Sequence, residues 1–92
     1  MTSSKKKIFL KTIKNLKDRG SVLFNFEGNT FELSCSIFDY NNERFYMIKK
    51  DGDLLGETMS LSKISDKYLT FISYNLFSQK NTFKMSIDKI SI

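Results

Sequence analysis

Ninety-two residues with 40% apolar and 14% aromatic side chains, a mean hydropathy of −0.32 and a net charge of +5 describe one globular domain with enough material for a core. The absence of histidine removes the commonest general base and a principal zinc ligand, and the lone Cys35 excludes an intrachain disulfide and a thiolate metal site. No apolar run reaches the length of a membrane span or of a signal-peptide core, so the expectation is a soluble, cytoplasmic protein with no membrane partner.

The charge is unevenly placed. Residues 1–20 hold seven basic side chains and one acid, Asp18, a net +6, whereas residues 21–92 hold eight basic and nine acidic side chains, a net −1. The basic residues are Lys5, Lys6, Lys7, Lys11, Lys14, Lys17 and Arg19. With a helix over 5–19, the 3.6-residue period puts Phe9, Ile13 and Leu16 on one stripe. It puts Lys7, Lys11 and Lys14 on a second stripe about 160° away. Ser3 or Ser4 is placed to cap this helix and Gly20 to stop it. Lysines in the first turn oppose the helix dipole, so helix stability alone does not select them.

After Gly20 the period falls to two. Val22, Phe24 and Phe26 share one face of a strand, and Phe31, Leu33, Cys35 and Ile37 share one face of the next. Gly28-Asn29 between them predicts a two-residue hairpin turn. Polar turns at 39–44 and 51–53 bracket "FYMIKK". "ETMSLSKI" (57–64) reads as a shorter strand with Met59 and Leu61 on one face. "YLTFISYNLF" (68–77) reads as a strand apolar on both faces, as in a central position. "TFKMSIDKISI" alternates through Phe83, Met85 and Ile87 and loses phase at Asp88-Lys89, which predicts a bulge or the end of pairing. The expected fold is α+β in a single domain, residues 1–92. A basic amphipathic N-terminal helix (1–20) precedes an antiparallel sheet of about five to six strands (21–92), a partly closed small barrel being one form of it.

Catalysis and cofactors find little support in these residues. Asp51, Asp53 and Gly56 match positions 1, 3 and 6 of a calcium loop, but Leu55 and Ser62 occupy positions that need oxygen ligands. Cys35 falls in the apolar phase of a strand, as a buried thiol does. No enzyme, no metal and no cofactor is expected. What remains is binding. The helix stripe, with the other basic residues of 5–19, fits phosphates of nucleic acid, RNA or DNA. Tyr40, Tyr46 and Tyr74 are candidate stacking residues. The rival reading is a protein-binding inhibitor or regulator of the kind mobile elements carry, whose basic helix docks on an acidic protein surface. In a weaker form it is β-augmentation at a free strand edge, including a homo-oligomer.

The order helix, strand, then "GNTFELSCSIFD" (28–39) resembles the first motif of Sm-like RNA-binding proteins, the bacterial Hfq type in particular, through Gly28 and the Phe38-Asp39 end. "LSKIS" (61–65) is similar to the closing strand of that family's second motif. The resemblance spans residues 5–65 and implies a bent barrel, ring assembly and RNA binding, with Phe38 and Asp39 as carried-over site positions. Leu33 stands where the family has a bending glycine, and Leu61-Ser62 where the Hfq pocket has a Lys-His pair.

Overall fold

A computed structural model describes residues 2–54 and 59–92. Helix α1 (Thr2–Lys14) is followed by β1 (Ser21–Phe26), β2 (Asn29–Ile37), β3 (Arg44–Lys50), β4 (Asp53–Leu54), β5 (Ser60–Ile64), β6 (Tyr68–Tyr74) and β7 (Lys80–Ser86). A 3-10 turn (Ile87–Lys89) then leads into β8 (Ile90–Ser91). All pairings are antiparallel, and seven strands lie on one path, β7-β6-β5-β3-β2-β1-β8, with the two-residue β4 hanging from β3. The fold is therefore α+β as expected, with a half-barrel of seven strands where five to six were predicted. The added strand comes from the chain's end: the phase slip at Asp88-Lys89 is a 3-10 turn that sends Ile90 back to pair with Phe26 of β1. The predicted strand start at Glu57 and the middle of the acidic stretch, Leu55 to Glu57, lie outside the described residues.

Alternation predicts the concave face well. Phe24, Phe26, Phe31, Leu33 and Cys35 are all buried, as are Ile48, Leu69, Phe71, Met85, Ile87 and Ile90. Phe26 on β1 and Phe83 on β7, near opposite ends of the path, meet edge-to-face with centroids 6.1 Å apart, which measures how far the sheet curls. α1 closes the concave side by inserting Phe9, Leu10 and Ile13, and Leu16, just past its end, is buried as well. β6 is the penultimate strand, not a central one, and only its concave face (Leu69, Phe71, Ser73) is fully buried; Thr70 and Ile72 opposite are half-buried.

Two local details correct the sequence reading. The first hairpin turns at Glu27-Gly28, one residue early, because Phe26 pairs with Asn29. Both central residues have positive φ (50° and 83°), the type I′ form whose twist matches the strands, and glycine takes the second place. Asp51-Gly52, with φ of 50° and 87°, repeats this between β3 and β4.

The helix begins at Thr2, ahead of Ser3 and Ser4, and ends at Lys14 instead of running to residue 19. Its end is unwound by competing partners. The Asn15 side-chain amide donates to Lys11 O (2.8 Å), the Tyr46 hydroxyl donates to Ile13 O (3.1 Å) and the Arg44 guanidinium donates to Leu16 O. Sheet side chains thus satisfy carbonyls that a longer helix would have used itself. Leu16 stays in the core although it has left the helix.

The chain then turns at Gly20, where a Cβ would lie 2.9 Å from Lys17 O, the carbonyl that accepts from Gly20 N–H at 2.8 Å. Gly20→Ala is expected to lower stability by about 1–3 kcal/mol, the usual range for forced overpacking. A urea-unfolding midpoint equal to the parent's would show that this loop adjusts freely.

Candidate functional site

The basic residues of the N-terminal segment separate into three groups. Lys7, Lys11 and Lys14 are exposed on the solvent side of α1, and among the described residues their side chains make no hydrogen bond or ion pair. A rise of about 1.5 Å per residue spreads them over roughly 10 Å of helix axis. The helix cannot roll to hide them, because Phe9 and Ile13, 3% and 0% exposed, fix its opposite face in the core. Among the described residues Lys89 pairs with Glu27 at 3.9 Å, away from the stripe's own side chains.

Lys6 is placed differently. Its ammonium donates to Ile90 O and joins the helix to β8, and the residue is half-buried. Lys5, on the same side, lines a shallow, largely apolar groove of about 180 Å³ with Ile8, Phe9, Thr12, Val22 and Ile92.

Lys17 and Arg19 belong to the connector from α1 to β1, which is laced to the end of β2. Asp18 Oδ1 accepts from Ile37 N–H at 2.8 Å, Arg19 N–H donates to Cys35 O at 2.8 Å, and Cys35 N–H donates to Gly20 O at 2.9 Å. Arg19 holds a positive φ of 66° to make this crossing. Both basic side chains are exposed beside the β2–β3 turn.

That turn carries an aromatic ledge. Phe38 stacks on Tyr40 with centroids 5.9 Å apart and planes 25° apart, and it lies 6.4 Å from Phe45. The three are 41%, 83% and 38% exposed. The turn is held by Phe38 N–H to Glu43 O, Asn42 N–H to Phe38 O, and Asn41, whose side chain donates to Glu43 Oε2 and accepts from Glu43 N–H. Tyr40 therefore offers one open ring face on a fixed support, with exposed Lys17 and Arg19 on the neighbouring connector. Asp39 and Glu43 lie in the same turn, so the local charge is mixed.

The other two tyrosines diverge. Tyr46 pairs with Cys35 in register and so points to the concave side, where its hydroxyl bonds the helix; it is a structural residue with little free ring surface. Tyr74 is 65% exposed at the end of β6, next to a loop that presents Leu76 and Phe77 at 99% and 84% exposure. Sequence reasoning absorbed Leu76 and Phe77 into a strand and passed over Phe45. The Asn75…Gln79 pair that bounds a four-to-five-residue turn was the signal that could have excluded the strand.

Cys35 is buried, and the described residues contain no cluster of groups suited to a metal ion. No described helix is long and apolar enough to cross a membrane. Neither a scan against models of known protein families nor searches of characterised proteins and solved structures finds a match to this chain.

Proposed function

We propose that this chain is a small non-enzymatic nucleic-acid-binding protein whose N-terminal helix contacts phosphates through Lys7, Lys11 and Lys14. The observation that carries the reading is the unpaired lysine stripe on a helix rigidly seated by its other face. Folding needs it little: Lys11 and Lys14 lie in the last turn, where the helix dipole favours a surface cation by only about 0.3–1 kcal/mol, and single surface substitutions usually change stability by about 0.5 kcal/mol or less. A polyanion with regularly spaced charge supplies what the stripe lacks. Lys17, Arg19 and the open face of Tyr40 extend the surface beyond the helix, Tyr40 as a stacking position for an unpaired base. Phe38, a position carried over from the Sm-like resemblance, lies in the ledge.

The test is a salt series on single-stranded RNA, single-stranded DNA and duplex DNA, with wild type beside a Lys7, Lys11, Lys14→Ala triple variant whose fold is checked by circular dichroism. On duplex DNA the variant is expected to bind more weakly, with a log–log salt slope smaller by about 2.7, from 0.9 per phosphate contact. Failure of the wild type to bind any of the three at low salt refutes the reading.

The second reading, a regulator docking on an acidic protein, is favoured by the same ledge, because exposed aromatics on a rigid support are the anchors that protein interfaces use. In that case binding has a fixed stoichiometry and depends on Tyr40 and Phe38 more than on salt.

A further inference from the structure

The loop between β6 and β7 is built around one side chain. Asn75 Oδ1 accepts from Phe77 N–H at 2.9 Å and from Gln79 N–H at 3.0 Å, while Asn75 Nδ2 donates to Gln79 Oε1 at 2.9 Å. Backbone bonds from Asn75 N–H to Gln79 O (3.1 Å) and from Ser78 N–H to Asn75 O (3.0 Å) close it, and Ser78 takes a φ of 59°. The effect of this bonding is to hold Leu76 and Phe77 outward in water. A loop needs neither residue for its own geometry, since the work is done by Asn75, Ser78 and Gln79. Two adjacent large apolar side chains, set almost wholly in solvent on an ordered tip, are a surface shaped for contact.

The charge around the tip indicates the partner. Between Lys67 and Asp88 the charged residues are Lys80 and Lys84, with no acid. Lys80 sits opposite Tyr74 at the base of the tip, and Lys84 lies 5.9 Å above the ring of Tyr68 on the same hairpin. An apolar point on a hairpin whose own charges are all cations fits a target with stacked apolar layers between two rows of anions.

We propose that Leu76 and Phe77 form a wedge that enters a base step of duplex DNA from the minor groove, with Lys80 and Lys84 on the adjoining phosphates, and that the protein bends the duplex on binding. This rests on the nucleic-acid reading above and names its substrate. Side chains of these types part stacked bases and kink the helix by about 20–90°. Opening a stacked step needs a stiff tip, which the Asn75 bonds supply. A fluid bilayer asks for no fixed tip geometry, and interfacial binding scales with apolar area, of which two residues offer little.

The experiment uses the full chain and a mixed-sequence duplex of about 30 base pairs, short against the persistence length of DNA, with dyes at its ends and 2-aminopurine at a central TA step. Saturating wild type is expected to raise energy transfer and 2-aminopurine fluorescence together. The Leu76→Ser, Phe77→Ser double variant is expected to keep the salt slope of the wild type and to lose both signals; its fold is secure because both positions are already in water. Wild type that binds with the expected salt slope but leaves the duplex straight and stacked overturns the wedge and leaves the lysine stripe standing. Absence of duplex binding overturns the wedge, and it overturns the nucleic-acid reading too only where single-stranded RNA and single-stranded DNA also fail to bind. Equal bending by wild type and variant overturns the wedge. So does Phe77-dependent sedimentation with phosphatidylcholine–phosphatidylserine vesicles, or Phe77-dependent dimerisation, in the absence of bending.

Discussion

Phe71→Ala is expected to lower the free energy of unfolding by about 3–5 kcal/mol, the range for emptying a large aromatic site in a core. Phe71 is 0% exposed on the concave face of β6, between Leu61 of β5 and Phe83 of β7 in register, with Leu69 and Ser73 on either side along its own strand. A domain of 92 residues has about 5–14 kcal/mol in all, at 0.05–0.15 per residue. The variant would therefore lose about a fifth or more of its stability. The corresponding fall in melting temperature is at least about 12 °C, at 4–8 °C per kcal/mol for a chain of this size. The measurement is paired thermal and urea unfolding. A loss under about 1 kcal/mol would mean that the half-barrel collapses onto the vacancy and that its core is not tightly packed.

Ile13→Asp is expected to be worse still. Ile13 is wholly buried where α1 lies on the sheet, one turn from Phe9, and its carbonyl is already taken by the Tyr46 hydroxyl. A carboxylate there has no described cation to meet, and an uncompensated buried charge costs about 3–5 kcal/mol before the lost aliphatic contact is added. The helix should leave the sheet, and trypsin should then cut rapidly after Lys11 and Lys14, sites that the seated helix protects. Lys11→Ala on the opposite side should change stability by no more than about 0.5 kcal/mol. Similar effects from the two substitutions would contradict the seating of α1 on which the lysine stripe depends.

Much of this fold is legible in the sequence because burial here follows simple periods. Phe24, Phe26, Phe31, Leu33 and Cys35 alternate, and Phe9, Ile13 and Leu16 recur at helical spacing, so their faces are fixed without knowledge of their partners. What resisted reading was set by long-range partners. The helix stops at Lys14, where Tyr46 and Arg44, some thirty residues away, bind the carbonyls of Ile13 in its last turn and of Leu16 just beyond it. The hairpin turns at Glu27-Gly28, which puts glycine at the second positive-φ position and Asn29 in the ladder opposite Phe26.

The same limit applies to the site. Lys7, Lys11 and Lys14 could be placed from periodicity alone, whereas Lys6, one residue away, is drawn off to Ile90 by a contact that no local pattern announces. Tyr46 is an ordinary exposed-looking strand tyrosine until its register with Cys35 turns it inward. The ledge of Phe38, Tyr40 and Phe45 assembles across a turn. It is visible only once Ser36 is set opposite Phe45.

The bond from Lys6 to Ile90 joins residues 84 apart in the chain, and β8 closes on β1 beside it. Its consequence is kinetic. α1 can gather its own turns within microseconds, but its groove is completed only when Ile87 and Ile90 arrive from the far end, so most of the loop-closure entropy falls on the final step. Folding should accordingly be slow for a chain of this length. During synthesis Phe9 can already meet Phe24 of β1, but the basic helix lacks its partners Ile87 and Ile90 until β8 has emerged.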